Sequence, residues 1–184
     1  MDTAAQEGAG ASLAEWAERL AMEVAPDELD LASTMAEAYT EGGAARRDLF
    51  TRAGPHHGGF GAGEVLVVMP WLLKAISQAG PLLLTLLASS KLITDFLECV
   101  KGVLSVLDWG ARDEQPKEPS PPGAVPASVP YVPLRRVVDT MEQQLRVAGL
   151  SEKQVQRITF GTLKVLLEEP KGGAGFVREV ASER

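Results

Sequence analysis

An all-α fold follows from three features of the sequence. Apolar residues recur at three- and four-residue spacing along most of the chain, capping sequences precede two of these stripes, and no two segments of good strand character exist to pair with one another. The predicted architecture is an N-terminal helical body built on a long apolar helical hairpin, a Pro-rich linker and a small C-terminal three-helix bundle. The divisions expected are a disordered N-terminus over 1–11, the helical body over 12–110 with the hairpin at 64–109, the linker over 111–133 and the docking bundle over 134–184.

The first helix starts at Ser12. Ser12 and Glu15 have the spacing of a capping box, and Leu13, Trp16, Ala17, Leu20 and Val24 then form one apolar stripe. Pro26 disfavours a helical residue before it and ends this helix near Ala25. Pro26-Asp27-Glu28 makes an acidic first turn for a second helix, in which Leu31, Met35, Ala38 and Tyr39 keep helical spacing, with a break conceivable near Asp30. Gly42-Gly43 closes it. A short third helix over 44–52 buries Leu49 and Phe50 and displays Arg46 and Arg47. Residues 54–63 are a glycine-rich loop by composition.

The stretch from Glu64 to Trp109 has the densest apolar content. In its first arm Val65, Val68, Met69, Leu72 and Ile76 fit a helix, although the run Val65–Met69 before Pro70 also has the look of a short strand. Gly80-Pro81 is the expected turn. From Pro81 to Asp108, Thr85, Ala88, Lys91, Asp95, Glu98, Lys101, Ser105 and Asp108 form a narrow polar stripe on a wide apolar face. That arm is about 42 Å long if continuous, at 1.5 Å per residue. Gly110 is placed to cap it.

Seven prolines between 111 and 133 rule out a helix or central strand there. Leu134, Val137, Val138, Met141 and Leu145 then form a stripe that Gly149 ends. Ser151 and Gln154 make a second capping box, with Leu150 and Val155 as its hydrophobic staple. Val155, Ile158, Thr159, Thr162, Leu163 and Leu166 continue to Pro170. Lys171-Gly172-Gly173 is read as a turn, and Phe176, Val177 and Val180 as one last short helix.

Composition narrows the function. The net charge is −7, and residues 1–60 carry 11 Asp/Glu against 4 Lys/Arg, whereas residues 131–184 carry 7 against 9. Such a balance disfavours nucleic acid as the partner of the whole surface. Cys99 is the one cysteine, so neither a disulfide framework nor a thiolate zinc site can form within a chain. The acidic N-terminus lacks the basic start and apolar run of a signal peptide, and a cytoplasmic location is expected.

Catalytic constellations are not evident, and no cofactor is implied. His56 and His57 are weak metal candidates, because adjacent imidazoles share one ion poorly and no cysteine lies near in sequence. The glycines of 54–63 lack the Lys-Ser/Thr ending of a phosphate loop. Cys99 falls within the amphipathic arm and reads as a core thiol. The chain is therefore expected to be a non-enzymatic adaptor that binds another protein, with Arg135, Arg136, Arg146, Lys153, Arg157 and Lys164 as the docking residues. The alternative is a membrane-active protein that uses 64–109. Against a bilayer span stand Lys74, Ser77, Gln78 and Gly80-Pro81. The same stretch is also a candidate homo-oligomer interface. A lesser alternative is a DNA-binding helix-turn-helix over 134–169, with Gln154 and Arg157 at base edges.

Overall fold

The computed structural model describes residues 11–52, 67–109 and 132–182, apart from the side chains of residues 90–92, 106, 108 and 109. Among the described residues there are eight α-helices and no strand, as the apolar periodicity predicts. They are α1 (Leu13–Val24), α2 (Leu29–Glu41), α3 (Gly43–Arg52), α4 (Met69–Ala88), α5 (Ser90–Trp109), α6 (Val132–Val147), α7 (Glu152–Glu168) and α8 (Pro170–Ala181). A single 3-10 turn, Pro26–Glu28, joins α1 to α2.

The helix ends show why these segments start and stop where they do. Ser12 accepts from the Glu15 N–H while the Glu15 carboxylate accepts from the Ser12 N–H. Ser151 and Gln154 repeat the arrangement at α7. The helix α2 runs past Asp30 without a break and stops at Gly42, and Gly149 adopts φ +83° after α6. The positive φ at these two helix ends, +79° at Gly42 and +83° at Gly149, is one that glycine adopts without strain.

The helix α4 is the axis of the fold. Met69, Leu72, Leu73, Ala75, Ile76, Ala79, Leu83, Leu86 and Leu87 are buried, leaving little of its circumference polar. A helix that is apolar on several sides must be covered on several sides. It packs mainly on α6 and α8, with further contacts to α2, α3, α5 and α7. One hydrophobic cluster results, running from Trp16 and Leu20 through Leu83 and Phe96 to Leu163 and Val180.

Four expectations are corrected here. First, Gly80-Pro81 is not a turn. The helix α4 continues through it with Pro81 inside, and the break comes at Ser89 (φ −90°, ψ 74°). Gly80 is buried against α8, where an added Cβ would stand 2.9 Å from Ala181 Cβ, whereas Pro81 is exposed. The close packing on α8 holds the helix together, and the missing N–H lies on the solvent side where water can replace it. Second, the expected arm of 81–108 is therefore shared between the end of α4 and α5. Third, Lys171-Gly172-Gly173 is the first turn of α8 rather than a loop, started by Pro170. These glycines let α8 approach its neighbours: a Cβ on Gly172 would meet the Trp16 ring at 2.7 Å, and one on Gly173 the Leu166 carbonyl at 2.9 Å. Fourth, α6–α8 do not stand apart as a docking bundle. α6 and α8 cover α4, and α7 packs between α5 and α1. The reason is the apolar circumference of α4, which residues 12–52 alone do not cover.

Two smaller shifts belong to the edges. Val132 and Pro133 lie in the first turn of α6, inside the range expected to be linker. Helical structure in the apolar run begins at Met69, so Val67 and Val68 are neither helix nor strand. Most of the expected linker, the glycine-rich loop, the expected start of the hairpin and its expected cap, Gly110, lie outside the described residues.

Candidate functional site

Three helices that are distant in sequence meet at a cleft. Its walls are Glu23 from α1, Lys101, Leu104 and Ser105 from α5, and Arg157, Gly161 and Lys164 from α7, and its volume is about 260 Å³. The sequence dictates this locally. Lys101 and Ser105 are one helical turn apart on the polar stripe of α5. Arg157, Gly161 and Lys164 follow at spacings of four and three along one face of α7.

Gly161 sets the distance between α1 and α7. A Cβ there would lie 2.7 Å from Val24 Cγ1 and 3.4 Å from Glu23 Cγ, so only glycine lets the helices come this close. The approach brings Glu23 onto Lys164, whose ammonium donates to both carboxylate oxygens at 3.0 Å. That pair is about 30% exposed on both sides and fixes Lys164 at the edge of the cleft. Lys101 and Arg157 are exposed, and among the described residues neither has an ion-pair partner. Among its described lining residues the cleft thus holds three cations and one carboxylate, on a chain whose net charge is −7. A concave site of one sign concentrates ions of the other sign.

The six basic residues predicted from sequence are divided by the fold. Arg157 and Lys164 come together in the cleft. Arg146 instead bridges two carboxylates, donating to Glu142 at 2.7 Å and to Glu152 at 2.8 and 3.0 Å. The guanidinium holds the Glu152 carboxyl below its usual range, while burial pushes the Glu142 carboxyl up against the pull of Arg146. Arg135 and Arg136 are exposed on α6, with Arg135 4.0 Å from Asp139. Lys153 is exposed at the start of α7. None of these four lines the cleft.

Lys101, Ser105 and Glu23 complete a site of which the sequence reading, spread over α6 and α7, had only Arg157 and Lys164. A signal existed in the Lys101/Ser105 stripe, but its meeting with α7 is a tertiary fact. His56 and His57 lie outside the described residues. Cys99 is half-buried within α5. Among the described residues no three His, Cys, Asp or Glu side chains are grouped to hold a metal ion.

Two other regions stand out beside the cleft. A groove of about 420 Å³ between α2, α3 and the start of α4 is mainly apolar, lined by Leu31, Met35, Ala38, Leu49, Val67 and Pro70 with Thr34 and Asp48 among them. The helix α4 is long and apolar enough to cross a membrane by length and composition, with half of its most apolar window buried by the other helices. Searches among protein families, characterised proteins and solved structures found no match to this chain.

Proposed function

We propose that the protein is a non-enzymatic interaction protein whose cleft between α1, α5 and α7 receives an acidic segment of a partner protein. The observation that carries this reading is the convergence of Lys101, Arg157 and Lys164 in one concave site on an otherwise acidic chain. An extended peptide laid along the cleft would present carboxylates to Arg157 in a bidentate manner and to Lys101 as to a point charge. Leu104 supplies an apolar floor for the peptide's carbon chain. Opposite charge would steer the encounter and set its dependence on salt.

Two features favour this partner over the alternatives. The helix α7, which would be the recognition helix of a helix-turn-helix, is flanked by α1 and α5 and buries Val155, Ile158, Phe160, Leu163 and Leu166. A recognition helix must stand free to enter a major groove. The contacts of α4 with α6 and α8 likewise cover much of that helix within the chain, which favours a core role over a bilayer or a second copy as its cover.

Fluorescence anisotropy with a labelled Asp/Glu-rich peptide and a Lys/Arg-rich peptide of equal length tests the reading on the full chain. Binding of the acidic peptide alone, weakened at 0.5 M salt and abolished in the double variant K101E/R157E, is expected. Preference for the basic peptide, or binding that the double variant retains, would overturn it.

A further inference from the structure

The charge and donor geometry of the cleft allow its ligand to be specified further, given the reading above that it receives an acidic segment. We propose that this segment is phosphorylated, and that Lys101, Arg157 and Lys164 bind the phosphate dianion of a phosphoserine or phosphothreonine side chain. Among the described residues that line the cleft, three cations minus the one carboxylate of Glu23 leave a local charge of +2. A phosphomonoester carries about −1.5 to −2 at neutral pH, so it matches that charge, whereas a single carboxylate leaves it half compensated.

The donors suit a phosphate as well. Arg157 offers a planar fork that meets two phosphate oxygens in parallel, and Lys101 approaches as a compact point charge from the facing helix. The Ser105 hydroxyl, one turn along α5 from Lys101, is a further donor for the third oxygen. Lys164 does not have to be recruited, since Glu23 already holds its ammonium at the rim with two 3.0 Å contacts. Preorganised donors spare a ligand part of the ordering cost.

A peptide is favoured over the other carriers of phosphate. An anionic lipid surface would face the whole chain of charge −7, including the exposed Glu15 and Glu18 on α1. A nucleic acid would meet the same field, and among the described residues no aromatic ring lines the cleft to stack on a base. A single phosphate on a short segment meets only the local charge.

Retention of the full-length chain on immobilised degenerate decapeptide libraries tests the proposal. The libraries differ only in a fixed central residue: phosphoserine, glutamate or serine. Retention on the phosphoserine library at least ten-fold above the other two is expected. Millimolar inorganic phosphate should compete it away, and R157Q and K101Q should each remove it while leaving the thermal melt unchanged. R157K, which keeps the charge without the fork, should keep part of it. Equal retention on the phosphoserine and glutamate libraries would overturn phosphate selectivity and leave the acidic-segment reading standing. Retention on neither would overturn both. Undiminished retention of both glutamine variants would remove the cleft as the site, and co-sedimentation with phosphatidylserine vesicles in place of peptide binding would assign it to a lipid surface.

Discussion

Gly161 on α7 and Val24 on α1 touch through a position that no side chain can share. A Cβ at Gly161 would stand 2.7 Å from Val24 Cγ1, closer than carbon atoms approach. G161A is therefore expected to destabilise the protein by about 1–3 kcal/mol, the usual cost of overpacking. G102A is its control, because among the described residues nothing lies within 4 Å of that position in α5. Replacing an exposed helical glycine there should stabilise by up to about 1 kcal/mol. Urea melts of the two variants check the opposite signs.

The Glu28 carboxylate reaches across 41 residues of sequence to the start of α4, accepting from the Val68 N–H and, at 2.8 Å, from the Met69 N–H. These are among the N–H groups that a helix start leaves without partners. Alanine offers them no acceptor at all, so E28A is expected to cost about 1–3 kcal/mol.

Burial pushes the Glu28 carboxyl above its ordinary value of 4.5, a shift that the two N–H bonds only partly oppose. The folded chain then keeps its proton to a higher pH than the unfolded chain does. The stability this confers is complete below about 4.5 and is lost as pH rises through the folded-state value. The gap between wild type and E28A should accordingly narrow from pH 4 towards pH 7 in thermal melts. A gap that widens over that interval would mean that the two N–H bonds outweigh the burial.

Pro81 inside α4 gives a further test. Were Gly80-Pro81 a turn, P81A would destabilise. Within a continuous helix the exposed proline only removes a hydrogen bond, and P81A should stabilise by up to about 3 kcal/mol. G80A should do the reverse, since its Cβ would lie 2.9 Å from Ala181 Cβ.

The shared core makes α6–α8 dependent on the rest of the chain. Trp16 stacks on Phe176 with ring centroids 5.9 Å apart, and Leu134, Met141 and Val177 are buried in the same cluster as Leu83. A fragment of residues 132–184 is expected to show no cooperative thermal transition by circular dichroism. W16A in the full chain should cost about 3–5 kcal/mol.

What could be read from the sequence was local. The Ser12/Glu15 and Ser151/Gln154 boxes, the stop before Pro26 and the glycine at 149 each depend on neighbours within a few residues, and the structure has them as expected. What could not be read was decided between helices. Gly80-Pro81 has the composition of a turn, and only the approach of α8 keeps it helical. Gly172-Gly173 reads as a loop until Trp16 and Leu166 are placed against it. The cleft was half legible, through Arg157 and Lys164. Lys101 and Ser105 stood on a stripe that had every appearance of a solvated face.

Backbone amide chemical shifts of the full-length chain, followed while an Asp/Glu-rich peptide is added, test the proposed docking cleft most directly. The largest changes are expected at Lys101, Ser105, Arg157, Gly161 and Lys164. Changes centred instead on Leu31, Met35 and Leu49 in the apolar groove, or no changes at all, would contradict it.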